Sequence, residues 1–198
     1  MRASKLFIGY YNSANAITLL GLFSALASCF FALNSDLKLA VYFLITAGIC
    51  DLFDGVIARK IKRTSEEKSF GVQLDTIVDV VSFCVVPTII VYSQAGAVWY
   101  TLLIYVFYIT SGVIRLAYFN TLAESSSSTK YYSGLPVTYI SLILPIVLLF
   151  HSNIITITAL GIVGLLFVIN IKIQKPRGIW YILFPLIAFG LIILWWCL

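Results

Sequence analysis

Asp51 and Asp54 are three residues apart, and Asp75 and Asp79 are four apart, spacings that put each pair on one face of a helix. Both pairs stand at the edge of long apolar stretches. An ionised carboxylate at mid-helix in a membrane costs about 2.5–3.5 kcal/mol, and four without compensation cost on the order of 10 kcal/mol, so the cluster implies a positive partner. No basic residue lies within the apolar parts of these stretches, and Arg59 could neutralise only one acid. Buried Asp–Lys or Asp–Arg pairs therefore fail to account for the group, whereas a cation does. Oxygen ligands with no nearby histidine and no C-x-x-C pair suit a hard divalent ion, Mg²⁺ or Mn²⁺ with Ca²⁺ as a further occupant, over zinc or copper. Gly55 follows Asp54 directly and Gly71 precedes Asp75 by four. Each leaves helix surface bare beside the acids, where a ligand or a second helix can approach.

The elements that must carry these residues follow from composition. Apolar residues make up 61% of the 198 positions and charged residues 11%, with a mean hydropathy of +1.02, outside the range of soluble globular domains. A helix crosses the hydrocarbon core with about 20 mostly apolar residues. Seven such spans are expected, at 17–34, 38–58, 71–93, 97–119, 135–151, 153–171 and 179–197, forming one all-α polytopic bundle over 1–198 with no separate soluble domain. Leu6–Tyr11, aromatic and apolar, is expected to form a short helix in the membrane interface, and the N-terminus lacks the cleavage pattern of a removed signal peptide. Cys29, Cys50, Cys84 and Cys197 are scattered without redox or metal spacing, and the single histidine, His151, falls at a helix end away from the charged loops.

Charge orients the bundle. With the N-terminus in the cytoplasm, Arg2, Lys5, Arg59, Lys60, Lys62, Arg63, Lys68, Arg115, Lys130, Lys172, Lys175 and Arg177 all fall on the cytoplasmic side, and only Lys38 falls opposite. Positive charge in short loops stays cytoplasmic, so a multi-pass cell-membrane protein with a cytoplasmic N-terminus is expected. The net charge of +5 reflects topology and attraction to anionic lipid headgroups rather than nucleic acid. Arg59 lies eight residues after Asp51, about 12 Å of helix rise, which puts the acids just below the cytoplasmic surface, within reach of hydrated cations and a soluble co-substrate.

Taken together, residues 51–79 read D-L-F-D-G-V-I-A-R, an eleven-residue loop, then G-V-Q-L-D-T-I-V-D. This pattern resembles the signature of the CDP-alcohol phosphotransferase family, matched at Asp51, Asp54, Gly55, Ala58, Arg59, Gly71, Asp75 and Asp79. The loop between the two halves is long for that family. The resemblance implies that the four aspartates hold one or two divalent cations bridging the pyrophosphate of a CDP-linked lipid, and that Asp79 is also the base for the acceptor hydroxyl. It further implies that Gly55 and Ala58 leave room for cytidine and ribose, that Arg59 contacts the donor, and that Gly71 lies on the donor side. A second element, A-N-A-I-T-L-L, resembles the family's N-x-x-T. Asn15 and Thr18 share a helix face at the cytoplasmic side, which fits a cap or a helix–helix hydrogen bond; the resemblance assigns them to the nucleotide. It also implies a homodimer.

The acceptor is read from R-L-A-Y-F-N at 115–120 and G-L-P at 134–136. These resemble the R-L-A-R-F-N and G-L-P elements of the membrane-embedded phosphatidylserine synthase branch, departing at Tyr118, where arginine is usual. The resemblance implies L-serine as acceptor, with release of CMP, and Arg115 and Asn120 as acceptor-binding residues. By residue type alone, Arg115 needs an anionic partner or snorkels to the interface, Asn120 caps a helix end, and 124–130 is a polar linker. Inositol phosphate or glycerol phosphate are alternative acceptors, though a phosphorylated acceptor requires more positive charge near the acids than Arg115 and Lys130. A divalent-cation transporter is a rival of another class. It requires polar groups continuing to the far face, and Val80–Tyr92 carries no charge.

Overall fold

The computed structural model describes residues 8–96, 98–124, 131–174 and 180–197. The first helix, α1 (Ser13–Leu33), starts where the Asn12 side chain accepts the Asn15 backbone N–H at 3.0 Å, satisfying one of the helix's orphan donors. A tight turn through Asn34 and Ser35, the latter at φ +64°, leads to α2 (Leu37–Lys60), capped by Asp36.

These two helices pack as an antiparallel hairpin along a stripe of small residues. Ala14, Thr18, Gly21, Ala25, Ser28 and Ala32 are all buried, and their alternating spacing of four and three keeps one narrow seam facing α2. Small side chains let the backbones come close. A Cβ on Gly21 would stand 3.1 Å from that of Cys50, and the Ser24 and Ser28 hydroxyls donate to the Phe43 and Ala40 carbonyls at 2.7 and 2.6 Å.

The third helix, α3 (Ser65–Ala95), is the longest at 31 residues. A reciprocal capping box of Thr64 and Glu67 opens it, and a π-helical segment, Val80–Val85, interrupts it directly after Asp79. Then come α4 (Trp99–Glu124), a three-residue strand β1 (Tyr131–Ser133), α5 (Val137–Leu148, opening as a 3-10 turn), α6 (Asn153–Val168), β2 (Lys172–Gln174) and α7 (Trp180–Cys197). The buried core runs through all the helices, and one part of it lies where the π segment, α4 and α6 meet. Tyr108 there is wholly buried and donates to the Phe83 carbonyl at 2.7 Å, while Gly164 and Gly112 let α6 and α3 press onto α4.

Each of the seven expected spans contains a helix. Four helices are long and apolar enough to cross a membrane, and Val137–Leu148, Asn153–Val168 and Tyr181–Cys197 are shorter apolar helices. β1 and β2 pair antiparallel, and Asn153 donates to the Gln94 carbonyl at 3.3 Å.

The all-α class holds, with one small two-stranded sheet beside the helices, formed because two loop ends lie side by side and satisfy each other's backbone groups. Three expectations need correction. The eleven-residue loop shrinks to Ile61–Thr64, since the capping box starts α3 six residues earlier. Of Leu6–Tyr11, residues 8–11 are described and are not helical. Gly9 turns there at φ +112°, and Tyr11 folds back to donate to the Ile8 carbonyl at 2.9 Å. Finally, α4 runs on to Glu124, so Asn120 lies within the helix rather than capping it. Residues 125–130 of the polar linker lie outside the described residues, as do Arg2, Lys5, Lys130, Lys175 and Arg177.

Candidate active site

The carboxylates converge where α2 and α3 run side by side. One oxygen from each of Asp51, Asp54 and Asp75 lies within 4.8 Å of the others, the geometry in which a single cation can be shared. Asp79 stands one turn deeper, within hydrogen-bond range of Asp51. Asp54 and Asp79 are buried, and Asp51 and Asp75 are half-buried. Among the described residues lining the cavity the cations are Arg59 and Arg115, and the Arg115 guanidinium acts on both Asp51 and Asp79.

Two threonines hold the first pair. Thr18 of α1 donates to Asp54 Oδ2 at 2.6 Å, and Thr138 of α5 donates to Asp51 Oδ2 at 2.8 Å. Beneath the cluster a recess of about 10 Å³ is lined by all four aspartates, Thr18 and Ser82, and the buried Ser82 Oγ has no hydrogen-bond partner. An all-oxygen donor set of three converging carboxylates, with an orphaned hydroxyl below, fits a hard divalent cation.

Above the acids opens a cavity of about 210 Å³. Asp51, Asp54, Gly55, Arg59, Asp75, Thr76 and Asp79 form one wall. The other comes from α4, α5 and α7, including Arg115, Asn120, Thr138, Tyr139 and Tyr181. Arg115 is 8% exposed, with its guanidinium 5.3 Å over the Phe119 ring. Snorkelling to the surface is therefore not what this side chain does. Asn120 is fixed by donation to Thr76 Oγ1 at 2.7 Å, and Arg59, itself exposed, donates to the Tyr181 hydroxyl at 3.1 Å and lies 5.6 Å over its ring.

All four aspartates, Gly55, Arg59, Arg115 and Asn120 thus share one cavity. The structure brings Asn15, Thr18, Ala58 and Gly71 to other places. Thr18 reaches the site through its bond to Asp54, the helix–helix hydrogen bond that its residue type permits. Asn15 is buried and donates to the Tyr10 carbonyl at 2.7 Å. Gly71 lies under Asn15 and Arg63, where a Cβ would stand 3.0 Å from the movable tip of the Arg63 side chain, and it is not among the cavity-lining residues. Ala58 is half-buried and is not among the cavity-lining residues. Tyr118, the departure from R-L-A-R-F-N, is exposed and lines a second slot with Ile114, Arg115, Phe167 and Ile169; it is not among the residues lining the acid cavity, although Arg115 lines both. Thr138 and Tyr181 went unnoticed in the sequence. Thr138 follows G-L-P by two residues, a proximity that could have drawn attention to it; nothing marks Tyr181.

The chain is similar to characterised proteins over most of its length. It is 33% identical to the CDP-diacylglycerol–serine O-phosphatidyltransferase of Bacillus subtilis over 150 residues, 73% of this chain and 78% of that enzyme. The enzyme of the same name from Saccharomyces cerevisiae is 36% identical over 111 residues, 52% of this chain and 39% of its own. The archaetidylserine synthase of Methanothermobacter thermautotrophicus is 29% identical over 138 residues, 69% of this chain and 58% of its own. The pattern of the CDP-alcohol phosphatidyltransferase domain matches residues 11–196, nearly the whole sequence and all of the carboxylate site, and the chain belongs to that family.

Proposed function

We propose that this chain is a membrane-embedded transferase that moves the phosphatidyl group of a CDP-linked lipid, CDP-diacylglycerol or its archaeal ether counterpart, to L-serine with release of CMP. The observation that carries this reading is a single cavity holding the three converging carboxylates and, across from them, a buried arginine. Three relatives named for serine transfer, from a bacterium, a yeast and an archaeon, support serine as the acceptor.

Asp51, Asp54, Asp75 and Asp79 would hold the divalent cation. When bound, it supplies charge neutralisation and alignment at the pyrophosphate, which phosphoryl transfer needs more than covalent help. Arg59, braced by Tyr181 at the mouth, meets the donor, and Gly55 leaves room beside it for the nucleotide. Asp79 accepts the proton of the serine hydroxyl as that oxygen bonds to the lipid-side phosphorus. The bond from this phosphorus to the bridging oxygen breaks, and CMP departs with the electron pair. Arg115 meets the serine carboxylate, and Asn120, held by Thr76, lines the same side. Among the described residues that line the cavity, Arg59 and Arg115 are the only cations, which disfavours an acceptor that brings its own phosphate. The uncharged run Val80–Tyr92 disfavours ion transport.

The seven apolar helices would form one domain with seven crossings, the N-terminus and the acid cavity facing the cytoplasm, and the chain paired as a homodimer. The split of basic residues, twelve against one, supports that orientation. Reaction of Lys62→Cys with an impermeant thiol reagent should occur only from the cytoplasmic side; reaction only from outside would reverse the arrangement. The function itself is tested by purified protein with CDP-diacylglycerol and a panel of serine, inositol phosphate and glycerol phosphate. CMP release is expected with serine, and release only with a phosphorylated alcohol would overturn serine as acceptor.

A further inference from the structure

We infer that Thr138 is a positioning residue of the metal site, so that the G-L-P turn, whose resemblance pointed to the acceptor, acts on the carboxylates. The inference rests on the reading of Asp51, Asp54 and Asp75 as cation ligands. Its basis is the direct bond from the Thr138 hydroxyl to Asp51 Oδ2 at 2.8 Å, across 87 residues of chain.

The bond is built into the helix packing. A Cβ on Gly48 would collide with the Ser141 hydroxyl, so α2 and α5 touch at this pair without room for a larger side chain. Asp51 lies three residues beyond Gly48, and Thr138 three residues before Ser141. In antiparallel helices that is the same register one turn further on, and the Gly48–Ser141 contact therefore sets the Asp51–Thr138 contact. Ser141 also donates to the Thr138 carbonyl at 2.7 Å, tying down the 3-10 turn that bears the threonine.

The other end of the turn is equally fixed. Gly134, at φ +78°, donates to the Ile171 carbonyl at 3.0 Å, and Leu135 donates to the Leu166 carbonyl at 2.9 Å. A Cβ on Gly134 would strike the Phe167 carbonyl oxygen, so a left-handed glycine is required there. Pro136 then leads into Val137–Tyr139 with a preset φ. Each residue of G-L-P thus helps to deliver the hydroxyl of Thr138 to one oxygen of Asp51. A carboxylate that ligates a metal through one oxygen and accepts a hydrogen bond through the other is held in plane and in rotamer. Thr18 does the same for Asp54 from the opposite side, so the D-x-x-D pair is gripped between α1 and α5.

The test is Mn²⁺ binding to the full-length protein in detergent without substrates, followed by the electron paramagnetic resonance of free Mn²⁺, alongside serine kinetics at saturating Mn²⁺. Thr138→Val keeps the shape and removes the donor; its Mn²⁺ dissociation constant should rise about tenfold or more, with the serine KM unchanged. Thr138→Ser restores the donor and should bind Mn²⁺ like the parent protein. Parent-like Mn²⁺ affinity in Thr138→Val with a raised serine KM would make Thr138 an acceptor contact and overturn the inference. Equal weakening in the serine and valine variants would overturn it as well, because the hydroxyl would then not be the cause. Mn²⁺ binding does not depend on which alcohol is transferred, so a failure of serine as acceptor leaves this measurement intact.

Discussion

The two walls of the cavity are built in opposite ways. The α2–α3 wall draws its chemistry from 29 consecutive positions, Asp51 to Asp79, and its pairs lie on single helix faces. The facing wall gathers Arg115, Asn120, Thr138 and Tyr181 from three helices. Its hydrogen bonds to the first wall span 44 residues for Asn120, 87 for Thr138 and 122 for Tyr181. On the proposed reading, the first wall would bind the cation and neutralise charge, and the second would aim the acceptor.

Breaking the first wall should have the largest effect. Asp54→Asn removes a carboxylate from the converging set, and transfer to every acceptor should fall to the background of CMP release, as it should in the unmodified protein with excess EDTA. Full turnover under chelation would mean that the acids do not work through a cation. Arg115→Ala strikes the second wall. Loss of a charge-assisted hydrogen bond, about 1.5–3 kcal/mol, should raise the serine KM roughly tenfold to a hundredfold if that binding is uniform in ground and transition states, with metal dependence unchanged. An unchanged serine KM with weakened CDP-lipid binding would move Arg115 to the lipid phosphate and blur the division between walls.

The smallest expected change sits where the walls meet. Tyr181→Phe keeps the ring under Arg59 and removes the hydroxyl that accepts from it. An ordinary hydrogen bond contributes about 0.5–1.5 kcal/mol, so the KM for the CDP-lipid should rise roughly two- to tenfold while that for serine stays put. A shift in serine KM alone would place Tyr181 on the acceptor side.

The helices were legible because a long apolar run is a local feature: about 20 such residues in a row suffice to cross a membrane, and each of the seven expected spans contains a helix, four of them long and apolar enough to cross. Their ends were less legible. Capping by Asn12 and by Thr64 with Glu67 carries α1 and α3 into polar sequence, where hydropathy gives no signal, and Gly9 breaks what composition alone would make an interfacial helix. The aspartate pairs were legible for the same local reason, since residues three or four apart on a helix share a face in any tertiary structure.

What the sequence by itself determined is thus an apolar bundle, a paired set of carboxylates on neighbouring helices, and a need for positive charge among them. Only the tertiary structure decided what faces those carboxylates. Thr18 bonds Asp54 instead of lining the cavity, Gly71 packs under Arg63, Tyr118 turns away, and Thr138 and Tyr181 come in from distant helices. Each outcome depends on how closely helices pack and in what register, as where Gly48 meets Ser141 and Gly21 meets Cys50. Spacing along one helix is fixed by its 3.6-residue turn, whereas the register between two helices is fixed by the steric fit of side chains far apart in sequence.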